Sequence, residues 1–325
     1  MHRRPTVLTA LAAAAALTLA GCGGGDPAPR DEASASAEET TTAEATPAGT
    51  ELPTVDGAFG EAPTITFPGS GAPADLQVDV LEAGDGAEVG ADDTVVANYV
   101  GQVWDGEVFD SSFERGAPAN FNLNGVVKGW KEGLTGTHVG DRVLLAIPAD
   151  LGYGDEPPEG GVIKAGDSLV FVVDVLGTYA ADAAGDAGAT PVEPAPELPV
   201  TVEGGPGEQT SITVAEGAAA PAEPVVTVVA TGSGEPVPAE AGTIIAVQFA
   251  ETLWDNSKQS STWNEAGPQF VRIGEGTVFD QLAGTPVGSR VVFQLPAQEA
   301  SENAPASPGL AAVVDVLGAH APNAA

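Results

Sequence analysis

The sequence predicts an α+β architecture built as two tandem blocks, each mostly strand around a short helix, behind a disordered N-terminal tether. A long passage is written twice, about 148 residues apart, which argues for one fold used twice. NYVGQVWDGEVFDSSF from Asn98, VGDRV from Val139 and LVFVVDVLG from Leu169 are answered by QFAETLWDNSKQSSTW from Gln248, VGSRV from Val287 and AAVVDVLG from Ala311. Within each copy the apolar runs are short and rich in β-branched residues, and Gly, Pro or Asp bounds them, as strands require. Only about Lys128 to Leu134 has a helical pattern, and a sheet with one short helix on its inner face is an α+β layer.

The elements follow in chain order. Met1 to Arg4 are basic at positions 3 and 4, Val7 to Leu19 are apolar, and Leu19-Ala20-Gly21-Cys22 has the small-residue pattern of a cleavage site. The apolar run is shorter than the ~20 residues of a spanning helix. Residues 1–21 therefore resemble a bacterial lipoprotein signal, which implies lipid on Cys22 and an extracytoplasmic protein anchored to the cell membrane. Cys22 is the only cysteine, so no internal disulfide is expected. Residues 22–61 are poor in aromatics and are expected to be a disordered tether. Residues 62–180 and 209–320 are each large enough to own a core. Between them, residues 181–208 carry Pro191, Pro194, Pro196, Pro199 and Pro206 and predict a stiff linker.

Charge and composition narrow the partners. A formal net charge of −35 repels phosphate backbones and anionic lipid, so nucleic acid is excluded and attachment falls to the lipid. His2, His138 and His320 are scattered, which leaves no expected metal site and no catalytic triad. The Gly-rich segments follow no strand and open no helix, so no phosphate loop and no cofactor is expected.

The ordered motifs of the first block carry a resemblance over almost its whole length. Tyr99, Trp104-Asp105-Gly106, Phe109-Asp110-Ser111-Ser112, Val126-Val127 before Gly129-Trp130, Val139-Gly140, and Tyr153-Gly154 after Ile147-Pro148 stand at the spacing of FKBP-type peptidyl-prolyl cis/trans isomerases. The resemblance implies an antiparallel β-sheet wrapped around one short helix in each block, and proline-containing unfolded or exported polypeptides as partners of a monomer. It also implies catalytic roles for Asp110, Tyr153 and Trp130. Trp130 would lie under the proline ring, with Tyr99, Phe109, Phe121, Val126, Val127 and Phe171 as walls and Ile163 beside Tyr153. Arg115 would pair with Asp110. Two departures stand out: Ala119 replaces a further aromatic that many members carry, and the loop Asp155 to Gly161 is acidic and rich in Gly and Pro.

Such a pocket explains catalysis without nucleophile or coenzyme. Conjugation of the nitrogen lone pair into the carbonyl raises a barrier of ~18–20 kcal/mol to peptide rotation. X-Pro cis and trans forms lie close in energy, so the difficulty is kinetic. Twisting removes conjugation and leaves a less polar amide, which an apolar pocket binds better than the planar one.

The second block keeps the frame and changes the interior. Phe109 aligns with Gln259, Asp110 with Ser260, Tyr99 with Phe249, and Tyr153 falls near Ser301; Phe279 is the candidate to replace Trp130 if one residue is deleted. A degenerate FKBP-like domain with little activity is expected. Two functions remain open: a prolyl isomerase assisting the folding of exported proteins, or a non-catalytic extracytoplasmic binding or holdase module.

Overall fold

The computed structural model describes residues 51–264, 267–299 and 306–323. The expected signal peptide, Cys22, the tether to residue 50 and Ser301 lie outside the described residues. A hairpin of β1 (Thr54–Asp56) and β2 (Thr64–Thr66) comes first. It is followed by β3 (Gln77–Glu82), β4 (Thr94–Val103), β5 (Val108–Ser111), β6 (Ala119–Asn122), α1 (Lys128–Leu134), β7 (Arg142–Ile147) and β8 (Leu169–Tyr179). The pairing is antiparallel throughout, in the order β3-β7-β8-β4-β5, with β6 also on β4.

β7 is buried at every residue and β8 at nearly every one, because both faces of the sheet are covered. Val143, Leu145, Ile147, Phe171 and Val173 face inward toward Trp130 and Leu134 of α1. Leu144, Val170 and Val172 face outward and meet Leu52, Val55, Ile65, Phe67 and Trp104. Alternating side chains thus serve two layers of core, which explains runs such as RVLLAI that lack a polar face.

This outer layer corrects the expected boundary of the tether. Residues 51–61 belong to the fold, and a buried ion pair holds them there. Arg142 donates to both carboxylate oxygens of Asp174, at 2.6 and 2.8 Å, and to the carbonyls of Gly57 and Glu61. Gly60 N–H donates to Asp174 at 2.8 Å. Composition alone could not show this, since the partners lie more than 80 residues away.

The second sheet uses the same connections. β9 (Thr190–Pro191), β10 (Val200–Glu203), β11 (Ser211–Val214), β12 (Val225–Thr231), β13 (Ile244–Leu253), β14 (Gln259–Ser261), β15 (Gln269–Arg272), β16 (Arg290–Leu295) and β17 (Leu310–His320) give the order β14-β13-β17-β16-β12-β9, with β15 on β13. Arg290 pairs with Asp315 in the register that Arg142 keeps with Asp174. It likewise reaches the carbonyls of Gly204, Gly205 and Glu208 on its own covering hairpin, β10 with β11.

Two expectations change here. The predicted linker is no free spacer: β9 pairs with β12, and Asp186 accepts hydrogen bonds from Ser233. β12 would otherwise present an unpaired edge, and the proline-bearing segment covers it. The second block also has no α-helix among its described residues. At the place of α1 stands a five-residue 3-10 turn, Val278–Leu282. Asp280 there accepts the N–H groups of Gly274 (2.7 Å) and Gly276 (2.9 Å), which ties the turn to the loop before it.

The two sheets meet through equivalent ends. Tyr179 closes β8 opposite Thr94, and His320 closes β17 opposite Ile244. The Tyr179 hydroxyl and His320 Nε2 are 2.7 Å apart, and Val96, Ala246, Leu176, Leu317 and Phe270 pack around them. Most of these residues are counterparts in the repeat, the pattern of an isologous contact. Burial holds the His320 imidazole down to about 4 and pushes the Tyr179 phenol up, so the two groups meet as a neutral ring and a neutral hydroxyl.

An ordinary His titrates near 6.5, so between about pH 6.5 and 4 the unfolded chain binds a proton that the folded chain refuses. The contact is at full strength above pH 6.5 and loses up to roughly 3 kcal/mol as pH falls toward 4. The thermal midpoint of wild type should drop more steeply across that window than that of His320→Gln. Parallel curves for the two proteins would show that His320 does not carry this dependence.

Candidate active site

A cavity of about 290 Å³ opens between the inner face of the first sheet and α1. Tyr99 comes from β4, Phe109 and Asp110 from β5, Phe121 from β6 and Phe171 from β8. Val126 and Val127 lead into α1, which supplies Trp130, and Tyr153 stands on the loop after β7. All the sequence-predicted pocket residues converge here except Ile163, which is buried in the adjoining core without lining the cavity. Gly125 also lines it and was missed, having no side chain to mark it.

Trp130 is 3% exposed and is met edge-on by Tyr99, Phe121 and Phe171 at centroid distances of 4.9–5.5 Å. Phe109 meets Phe171 in the same way. Such T-shaped contacts favour one arrangement of the rings, so the pocket is preorganised. Gly129 makes the placement of Trp130 possible: a Cβ there would stand 2.4 Å from the Ile147 side chain. The buried Trp130 Nε1 has no hydrogen-bond partner among the described residues.

One acid sits at the rim. Asp110 accepts from the Tyr99 hydroxyl and from Arg115, and Arg115 donates to the Tyr99 oxygen at 2.8 Å. The guanidinium also lies over the Tyr99 ring, 5.4 Å from its centroid. Burial, and then the hydrogen bond to Asp110, pushes the Tyr99 phenol up to about 12. Burial opposes the charge on Arg115, but the hydrogen bonds to Tyr99 and Asp110 outweigh it and raise its pKa. Tyr99 is thus a fixed donor rather than a base. Tyr153 is half-buried at the mouth, and its hydroxyl makes no hydrogen bond among the described residues.

Comparison with known proteins names this arrangement. The family model for FKBP-type peptidyl-prolyl cis-trans isomerases matches residues 86–176, which includes every side chain lining the cavity. The FK506-binding protein of Streptomyces anulatus is 44% identical over 119 residues, covering 36% of this chain and 96% of that protein. The chain belongs to the FKBP-type peptidyl-prolyl cis-trans isomerase family. The probable FK506-binding protein of Corynebacterium glutamicum is 42% identical over 118 residues, 36% of this chain and 98% of that protein. FkpA of Escherichia coli, an FKBP-type isomerase, is 44% identical over 101 residues, 31% of this chain and 37% of that protein. The substrates implied by membership are proline-containing polypeptides.

Among the described residues, the second sheet carries other side chains at the pocket positions. Register places Ser260 at Asp110, Phe249 at Tyr99, Val271 at Phe121 and Ala312 at Phe171, and Gln259 precedes Ser260 as Phe109 precedes Asp110, although Gln259 pairs with Thr252 and Phe109 lies at a register shift. Gly101, whose added Cβ would lie 2.7 Å from Phe109 and 2.8 Å from Phe171, is replaced by Glu251. Losing both rings leaves room for that side chain, which accepts from Ser260 at 2.7 Å. Phe279, the candidate to replace Trp130, packs against Phe293 of β16.

Proposed function

We propose that the first sheet and its pocket catalyse cis/trans isomerisation of X-Pro bonds in exported polypeptides, and that the second is a degenerate FKBP-like domain with little activity of its own. The observation that carries this reading is an apolar aromatic cavity with a single acid at its rim and an unengaged Tyr153 hydroxyl at its mouth. In this reading Trp130 supports the proline ring, and Tyr99, Phe109, Phe121, Val126, Val127 and Phe171 exclude water from it. Tyr153 donates to a substrate carbonyl, holding one side of the bond while the other turns. Asp110, oriented by Tyr99 and Arg115, faces the carbonyl of the twisting amide and favours the conformer whose oxygen has left the plane. The proton inventory of the site does not change during turnover.

The reading places the protein outside the cell membrane, as a monomer anchored by lipid on Cys22. The test uses the full-length chain with a proline peptide. Asp110→Asn and Tyr153→Phe should each lower kcat/KM about tenfold or more, the scale of one charged or well-placed hydrogen bond. The double variant should approach the uncatalysed rate, since the second sheet offers no replacement site. Unchanged turnover in both single variants would remove the assignment. The anchoring is tested by Cys22→Ala, which should move the protein out of the membrane fraction.

A further inference from the structure

The loop Ser112–Ala117 follows β5 and carries Arg115 to Asp110. It closes on itself through Ala117 N–H to the Ser112 carbonyl (3.3 Å) and Gly116 N–H to the Phe113 carbonyl (3.1 Å). A second set of contacts reaches it from the other sheet. Beyond β17, Ala321 and Pro322 lead to Asn323, whose backbone N–H donates to the Gly116 carbonyl at 3.0 Å. Its side-chain Nδ2 donates to the Ser112 carbonyl at 3.0 Å. The two carbonyls bracket Arg115. The approach of the tail is itself fixed, since His320 is bonded to Tyr179 three residues earlier.

We infer that Asn323 is a positioning residue for the isomerase site: the exit of the second sheet holds the loop Ser112–Ala117 so that Arg115 stays against Asp110 and Tyr99. This rests on the pocket assignment above. The Arg115 and Asp110 side chains are 47% and 41% exposed, and an exposed ion pair gains little when two mobile side chains must be held in one geometry. A loop tied on both sides of Arg115 lowers that cost. The exit of the first sheet also crosses, in the opposite direction. Ala181, just beyond β8, lies against Gly267 of the corresponding loop and accepts from Gln248 Nε2 at 3.0 Å. Each exit segment therefore crosses to the other sheet, but only one of the two reaches a loop with an acid and an arginine beside an aromatic cavity. On this view the second sheet supports the chemistry of the first by holding its site.

The test is a double-mutant cycle on the full-length chain with Asn323→Ala, Arg115→Ala and both together, read by kcat/KM on a proline peptide and by thermal midpoint. Asn323→Ala should lower kcat/KM about 3- to 10-fold, the scale of one neutral hydrogen bond, at nearly unchanged midpoint. In the Arg115→Ala background the same substitution should have no further effect, because coupled residues are not additive. A full, additive loss in that background, or no loss in wild type, overturns the inference. A readout independent of turnover is the NMR signal of the Arg115 guanidinium, which should show restricted rotation in wild type and freer rotation in Asn323→Ala. Identical signals in the two proteins also overturn it. Failure of the pocket assignment would show instead as normal turnover in Asp110→Asn, whatever the Arg115 signal does.

Discussion

Replacing Trp130 with Ala is expected to abolish most isomerase activity, lowering kcat/KM by about 100-fold or more, with a stability loss of about 3–5 kcal/mol. Both effects have one origin. Trp130 is buried against three rings, and Gly129 already lies on Ile147, so α1 cannot close inward over the space left. The cavity persists, water enters, and the planar polar amide is no longer disfavoured relative to the twisted one. Trp130→Phe should be milder on both counts. It restores a ring and removes a buried Nε1–H that has no partner among the described residues, so its stability cost should be smaller than the lost area suggests. Peptide turnover and thermal midpoints of the two variants check this together. A folded Trp130→Ala protein turning over within about threefold of wild type would falsify the pocket's role.

The pocket was legible in the sequence through the family resemblance that its large residues carry. Trp130 beside Gly129, Phe109 before Asp110 and Tyr153 before Gly154 each mark a place where a ring must stand next to a close backbone approach or a turn. The strands were legible from their β-branched runs. Other features left no local signal. Residues 51–61 and 181–208 are poor in aromatics, yet they fold because distant groups hold them: Arg142 and Asp174 in the first case, the edge of β12 in the second. Gly125 lines the cavity with backbone alone. Ile163 shares one core cluster with Trp130 and Phe171 without lining the cavity. The contact between sheets was hidden because Tyr179 and His320 are unlike residues at like positions. One clue to the covering hairpins was present twice, since Arg142 and Arg290 open apolar strands at matching points of the repeat.

That clue leads to a second large expected effect, on stability. Arg142→Ala should cost about 3–5 kcal/mol, because it leaves the Asp174 carboxylate buried and without its counter-charge. Arg142 and Asp174 are both about 1% exposed in their side chains, so water cannot replace the lost partner. The same substitution also strips the carbonyls of Gly57 and Glu61 of their donor, and with them the hold on the hairpin that covers Leu144, Val170 and Val172. These two contributions can be separated. The double replacement Arg142→Met with Asp174→Leu removes the unpaired charge and should recover much of the stability, as apolar substitutes for buried ion pairs often do. It cannot restore the bonds to Gly57, Glu61 and Gly60, so residues 57–61 should still exchange amide hydrogens and be cleaved by protease far faster than in wild type. If the double replacement protected that segment as well as wild type does, the covering hairpin would be held by its apolar contacts alone and the ion pair would not be its latch.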